Sequence, residues 1–155
     1  MVPVVSREQQ GRVVEYIASG KKQGATITTG GEATGGSGYY VKPTVMVNVK
    51  PDMRVVREEI FGPVLVAQRF DEIDEIAAAA NDTPYGLGAS VWSNDLRTVH
   101  RLVPKIKAGT VWVNCHNMID PSMPFGGFKQ SGIGREHGRG AIEMYTELKS
   151  VCIAV

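Results

Sequence analysis

The sequence predicts an α/β fold whose core is a parallel sheet built from βαβ units. Two observations carry that prediction. From Pro63 onward, short runs rich in β-branched residues alternate with helix-length amphipathic runs: PVLVAQRF, DEIDEIAAAAN, LGASVWS, NDLRTVHRLVPKIKA and TVWVN. The segments between the strand runs are far too long for hairpin turns, and strands joined by crossover helices lie parallel, with helices covering the sheet. A chain of 155 residues that is 43% hydrophobic is long enough to enclose the core such a fold needs.

The elements follow in order. SREQQGRVVEYIASGKKQG opens with Ser6 and, three residues on, Gln9, the spacing of a capping box. Val13, Val14, Ile17 and Ala18 then recur at helical spacing, and Gly24 supplies the stop. ATITT is a short β-rich run, GGEATGGSGYY a glycine-punctuated surface turn, and VKPTVMVNV an edge or irregular strand because it contains Pro43. A proline disfavours helical geometry in the residue before it, so Gly62-Pro63 marks a break from which PVLVAQRF departs as a strand. Asp71 begins the next helix and Asn94 the one after, which Pro104 kinks and Gly109 ends. TVWVN is the following strand. MPFGGFKQSGIGRE is a glycine-dense loop, GRGAIEMYTEL a helix, and KSVCIAV a terminal strand that needs a partner edge in its own sheet or in another subunit.

Seventeen basic against sixteen acidic residues leave a formal charge of +1, with neither sign gathered into a run. That balance gives no reason to expect nucleic acid or a membrane surface as a partner. No apolar stretch approaches the ~20 residues that cross a bilayer, and the first residues do not have the order of a signal peptide, so a cytoplasmic location is expected. Cys115 and Cys152 are too few for a disulfide framework or a zinc site.

Two stretches point to chemistry. REEIFGPVL places adjacent carboxylates, Glu58 and Glu59, before Phe61 on a loop at a strand's start, a common location for functional groups. In PFGGFKQSGIGRE and the residues after it, five glycines from Gly126 to Gly138 imply close approach to the backbone, while Lys129, Arg135 and Glu136 supply charge and Phe125 and Phe128 apolar walls. Cys115-His116 is not read as a nucleophile with its base, because neighbours on a strand point to opposite faces. Cys115 reads as a packed thiol at a strand end. His100 and His137 have no second histidine at metal spacing.

REEIFGPV, VWVN and PFGGFKQSGIGRE, in this order and spacing, resemble the C-terminal part of the NAD(P)-dependent aldehyde dehydrogenases. The likeness extends over essentially the whole chain, through the helix after SREQ, YGLGASVWS, AGTVWVN and TELKSV. Its wording is closest to phenylacetaldehyde- and betaine-aldehyde-type members. The resemblance implies the catalytic-domain fold of that family over residues 1–135, followed by a C-terminal helix and oligomerisation strand over 136–155. It also implies roles for single residues. Glu59 accepts hydrogen bonds from the nicotinamide ribose and Phe61 packs at the nicotinamide end, while Glu58 faces solvent or a structural partner. His116, Met118, Ile119 and Phe125 line an apolar aldehyde tunnel suited to aromatic or medium-chain aldehydes. Glu136 assists proton movement, and backbone carbonyls at Lys129 and Gly132 can hold potassium.

The family's reaction needs a cysteine nucleophile, a glutamate that activates water and a dinucleotide-binding Rossmann half, and none of the three is recognisable among these residues. The chain is therefore expected to be about the last third of such an enzyme, inactive alone, using NAD or NADP in its complete form and assembling as a homo-oligomer through its terminal strand. A non-catalytic interaction or oligomerisation module is the alternative.

Overall fold

The computed structural model describes residues 2–155, which form two compact units, one ending at Phe70 and the other spanning Asp71–Val155. The first unit opens with α1 (Arg7–Lys22), capped by Ser6, whose Oγ accepts from the Gln9 N–H at 3.1 Å. Its buried stripe is Val13, Tyr16, Ile17 and Gly20, rotated from the expected Val13, Val14, Ile17 and Ala18. Tyr16 buries more surface than Ala18 and still has a partner for its hydroxyl, so it takes the core position.

Three strands follow: β1 (Thr26–Thr29), β2 (Thr44–Val47) and β3 (Val64–Val66). They form a sheet in the order β1-β2-β3, antiparallel between β1 and β2 and parallel between β2 and β3. The strand after Pro43 is thus central rather than an edge. Pro43 lies just outside it, and the first ladder donor is the Thr44 N–H, which reaches the Pro63 carbonyl at 2.9 Å, so the proline costs no hydrogen bond. A four-residue helix, α2 (Arg54–Arg57), lies between β2 and β3 and buries Val55. The core gathers Val13, Tyr16, Ile17, Val41, Met46, Met53, Val55 and Ile60.

The second unit contains α3 (Ile73–Asn81), β4 (Gly88–Val91), α4 (Leu96–Leu102), β5 (Thr110–Val113) and α5 (Gly138–Met144). β4 and β5 pair in parallel, as a βαβ unit requires. The caps lie one residue later than expected. Glu72 rather than Asp71 precedes α3, and Asp95 rather than Asn94 precedes α4, its carboxylate accepting from the Arg97 and Thr98 N–H groups at 3.1 and 3.2 Å. Helix α4 ends at Leu102, and Pro104 stands in a following 3-10 turn instead of kinking a longer helix. Gly109 accordingly ends no helix. A Cβ there would collide with the Gly126 carbonyl, so the glycine admits the loop that packs on it. Ala77, Val91, Val99 and Leu102 form this unit's core.

The expected terminal strand does not form. The backbone from Thr146 onward is neither helix nor strand, and Leu148, Val151, Ile153 and Val155 are exposed. A strand needs a neighbour to pair its N–H and C=O groups, and no described strand of this chain pairs with that run. No described helix is long and apolar enough to cross a membrane.

Candidate functional site

The two adjacent carboxylates have different fates. Glu58 accepts from the Tyr16 hydroxyl at 2.7 Å and from the Arg54 Nε at 3.0 Å. Arg54 in turn reaches Glu15 at 2.7 Å, and its guanidinium lies 4.2 Å from the centre of the Tyr16 ring. The Tyr16 hydroxyl first, and Arg54 second, hold the Glu58 carboxyl below its ordinary range. Glu59 is exposed and has no hydrogen bond or ion pair among the described residues. One acid therefore fastens the turn to α1 and α2, and the other is left free.

The next residues present that free acid. Exposure alternates along the chain, with Glu59 outward, Ile60 in the core and Phe61 75% exposed. Phe61 has a positive φ of 54°, a conformation that costs a non-glycine residue about 1–3 kcal/mol and persists only where its surroundings enforce it. Two neighbours do so. The Gln9 side-chain amide donates to the Ile60 and Phe61 carbonyls at 3.3 and 3.0 Å, and Gly62 lies so close to Val13 that a Cβ would come within 2.5 Å of its Cγ2. The expected reciprocal capping role of Gln9 is thus replaced by a long-range one.

In the second unit, β5 ends at Val113 and the chain turns at Asn114, whose side chain is bonded to Ser93 twice, through its Oδ1 at 2.9 Å and its Nδ2 at 3.0 Å. His116 comes back toward β4, its Nδ1 2.8 Å from the Ser90 Oγ and its ring 5.4 Å from Trp112 in an edge arrangement. The Trp112 indole N–H donates to the Met118 carbonyl at 2.8 Å. His116, Met118 and Ile119 are exposed. Asp120 closes the following turn by accepting from the Ser122 N–H at 2.8 Å and hydroxyl at 2.7 Å, which lower its pKa. Cys115 is a free, half-buried thiol.

Phe125 belongs to a different cluster. It pairs backbone to backbone with Glu136, at 2.8 and 2.7 Å, and both line an open hollow of about 450 Å³ together with Gly132, Arg135, Met144 and Tyr145. Of the three charges in this loop, two are committed. The Arg135 Nη1 donates to the Gly127 and Gly134 carbonyls, and the Lys129 ammonium donates to the Asn81 and Thr83 carbonyls at 2.9 and 3.0 Å. Glu136 is exposed at the hollow, with no side-chain bond among the described residues. Beside it, His137 buries its Nδ1 without a partner, its ring 6.4 Å from Phe125. Among the described residues no three His, Cys, Asp or Glu side chains converge as metal ligands.

Residues 1–151 match the family model described as the aldehyde dehydrogenase family. The chain belongs to that family. It is 51% identical over 156 residues to the phenylacetaldehyde dehydrogenase of Pseudomonas fluorescens, covering 99% of this chain and 31% of that protein. It is 48% identical over 155 residues to a betaine aldehyde dehydrogenase of Agrobacterium fabrum, covering 98% of this chain and 31% of that one. Among solved structures, an aldehyde dehydrogenase of Bacillus cereus in its NAD+ complex superposes with a TM-score of 0.92 at 53% identity, covering 96% of this chain and 30% of that one. The chain thus spans about 31% of the length of these curated aldehyde dehydrogenases. The parallel α/β architecture is that of the family.

Gln9 is read in the sequence only as part of a capping box, and three further residues with positional roles escape that reading: Tyr16, Ser90 and Trp112. Only Tyr16 carried a signal, as an aromatic at helical spacing from Val13 and Gly20.

Proposed function

We propose that the chain is the C-terminal portion of an aldehyde dehydrogenase that oxidises an apolar or aromatic aldehyde to its carboxylic acid with NAD or NADP, and that it is inactive alone. The observation that carries this reading is the division of labour at the acidic pair. Glu58 is consumed by Tyr16 and Arg54, while Glu59 stands free and exposed two residues before an exposed Phe61. A carboxylate with unused acceptors suits a ribose diol, and an exposed ring suits the flat face of a nicotinamide. When bound, the nicotinamide takes up the substrate's hydride.

This chain's own residues then orient and enclose. Glu59 and Phe61 fix where the cofactor's reactive end settles, and placement of that kind supplies a large part of an enzymatic rate. His116, Met118, Ile119 and Phe125 contact the aldehyde, Glu136 moves a proton at the open hollow, and the carbonyls of Lys129 and Gly132 hold potassium. Residues 1–135 form the catalytic-domain portion and 136–155 the oligomerisation segment, in a cytoplasmic homo-oligomer. The exposed apolar run of Leu148, Val151, Ile153 and Val155 favours that assembly and is also what an interaction module without catalysis would display.

One experiment separates the two. The purified chain is mixed with NAD+ and phenylacetaldehyde, and reduced nicotinamide is followed by its near-ultraviolet absorbance. No signal is expected until the N-terminal two-thirds of the Pseudomonas fluorescens relative is supplied, and turnover is expected afterwards. Turnover by the lone chain, or no turnover in the mixture, would overturn the proposal.

A further inference from the structure

The segment that follows β5 is anchored to the β4–β5 region at both ends. The last ladder pair is Val91 with Val113, and the Asn114 N–H carries the pairing one step further by donating to the Val91 carbonyl at 2.9 Å. There the strand stops. Asn114 has a φ of 54°, a left-handed conformation that asparagine tolerates better than most residues. Its side chain then takes over from the backbone: the Oδ1 accepts from the Ser93 N–H at 2.9 Å and the Nδ2 donates to the Ser93 carbonyl at 3.0 Å. Both backbone groups of Ser93 are thereby paired, although that residue lies outside β4. Ser93 is itself restrained, because its Oγ accepts at 3.1 Å from the N–H of Asp95, the cap of α4. At the far end of the segment, the Trp112 indole N–H donates to the Met118 carbonyl at 2.8 Å.

We infer that Asn114 is a positioning residue that sets where the side chains of residues 115–119 stand, and thereby which aldehydes the complete enzyme prefers by size. The inference deepens the proposed function and rests on it for the role of these residues toward an aldehyde. Glycine, aspartate and asparagine all tolerate a left-handed turn, but only the amide offers one acceptor and one donor, matching the donor and acceptor of a peptide unit. Glycine would keep the φ and leave both Ser93 groups without this partner. Aspartate would accept from the Ser93 N–H and set a second oxygen against the Ser93 carbonyl. The turn therefore needs this amide and not merely a permissive backbone. Met118 and Ile119, exposed four and five residues further on, move with it. A long aldehyde loses apolar contact when such a wall shifts, whereas a two-carbon aldehyde has little contact to lose, so a displaced turn changes their ratio.

The test has two readouts, each taken in Asn114→Asp, Asn114→Gly and Asn114→Ala. In the lone chain, hydrogen exchange of the two indole N–H groups is followed by NMR. Trp112 reports whether Met118 keeps its place, and Trp92, 68% exposed, is the internal reference. The Trp112 indole is expected to exchange about threefold to tenfold faster in Asn114→Gly and Asn114→Ala, the effect of one lost hydrogen bond, and less so in Asn114→Asp, with Trp92 unchanged. In the enzyme restored by mixing fragments, kcat/KM for phenylacetaldehyde divided by kcat/KM for acetaldehyde is expected to fall about tenfold or more in Asn114→Gly and Asn114→Ala, the worth of a misplaced apolar contact, and to recover in part in Asn114→Asp. That ratio does not depend on how much of each variant folds, and a residue that only stabilised the fold would leave it unchanged. Wild-type exchange of the Trp112 indole in Asn114→Gly, or a ratio within about twofold of the wild type, would overturn the inference. A wild-type mixture that turns over neither aldehyde would instead remove the proposed function, and the indole exchange would still decide whether Asn114 positions the segment.

Discussion

Replacing Gly62 by alanine tests whether the turn that presents Glu59 and Phe61 is held by packing. The added methyl would lie 2.5 Å from the Val13 Cγ2 and 2.9 Å from its Cγ1. Val13 is 0% exposed within the core, and a valine on a helix has one strongly preferred rotamer, so it cannot swing aside. The turn must move instead, which stretches the Gln9 bond to the Phe61 carbonyl, now 3.0 Å. Overpacking of this kind costs about 1–3 kcal/mol. Urea unfolding of the chain measures it, and a double-mutant cycle with Val13→Ala isolates its cause. Val13→Ala alone destabilises by opening a cavity, but it makes room for the new methyl, so the double variant should be more stable than the sum of the two changes by about 1 kcal/mol or more. Additive behaviour, or a cost below about 0.5 kcal/mol for Gly62→Ala, would refute the idea that Val13 sets the position of this turn.

Glu59→Gln should leave the urea-denaturation midpoint unchanged and weaken NAD+ binding in the restored enzyme about tenfold to hundredfold, the range for losing hydrogen bonds to a charged group; urea unfolding reads the first arm and isothermal titration calorimetry the second. The folded pKa of Glu58 lies below its ordinary value of 4.5, so its contribution to stability is complete above that value and is lost as the pH falls through the lower, folded one. Denaturation midpoints measured through the acid range should show this loss in the wild type and a smaller one in Glu58→Gln. Gly109→Ala forces its methyl into the Gly126 carbonyl, backbone against backbone, and should raise amide-hydrogen exchange across residues 125–136 while leaving α1 protected.

How much of this was legible in the sequence depends on the distance over which each feature is decided. Helix α1 and the β4-α4-β5 unit were legible because periodicity and crossover length are local signals, and the acidic pair was legible as a turn before a strand because Gly62-Pro63 is a local breaker. Gln9 was not. A Gln three residues after Ser6 satisfies a local capping rule, yet its amide goes to carbonyls more than fifty residues away, an outcome that only the packing of α1 against the turn decides. Helix α2 is four residues long and its Val55-Val56 pair has no period to detect. The contact of Ser90 with His116 depends on the β4–β5 register and on a turn at positive φ, neither of which local composition reveals. The terminal run reads as a strand in any window, but strand formation depends on a neighbour, and composition cannot supply one.

The division between Glu58 and Glu59 bears on how the turn that carries them is built. Ser6 and Gln9 at the start of α1, Val13 and Tyr16 in the helix body, and Arg54 from α2 restrain it. These contacts hold the exposed acid and ring through the protein's own packing. A preset acceptor spares the ordering cost that a mobile loop would pay on binding. The exposed ion pairs in this network are individually weak, which leaves the buried Val13 contact and the Gln9 bonds as the principal restraints. Substitutions at Gln9, Val13 or Gly62 should therefore disturb the presentation of Glu59 more than substitutions at Glu15 or Arg54, although the charges are the more conspicuous feature of the sequence.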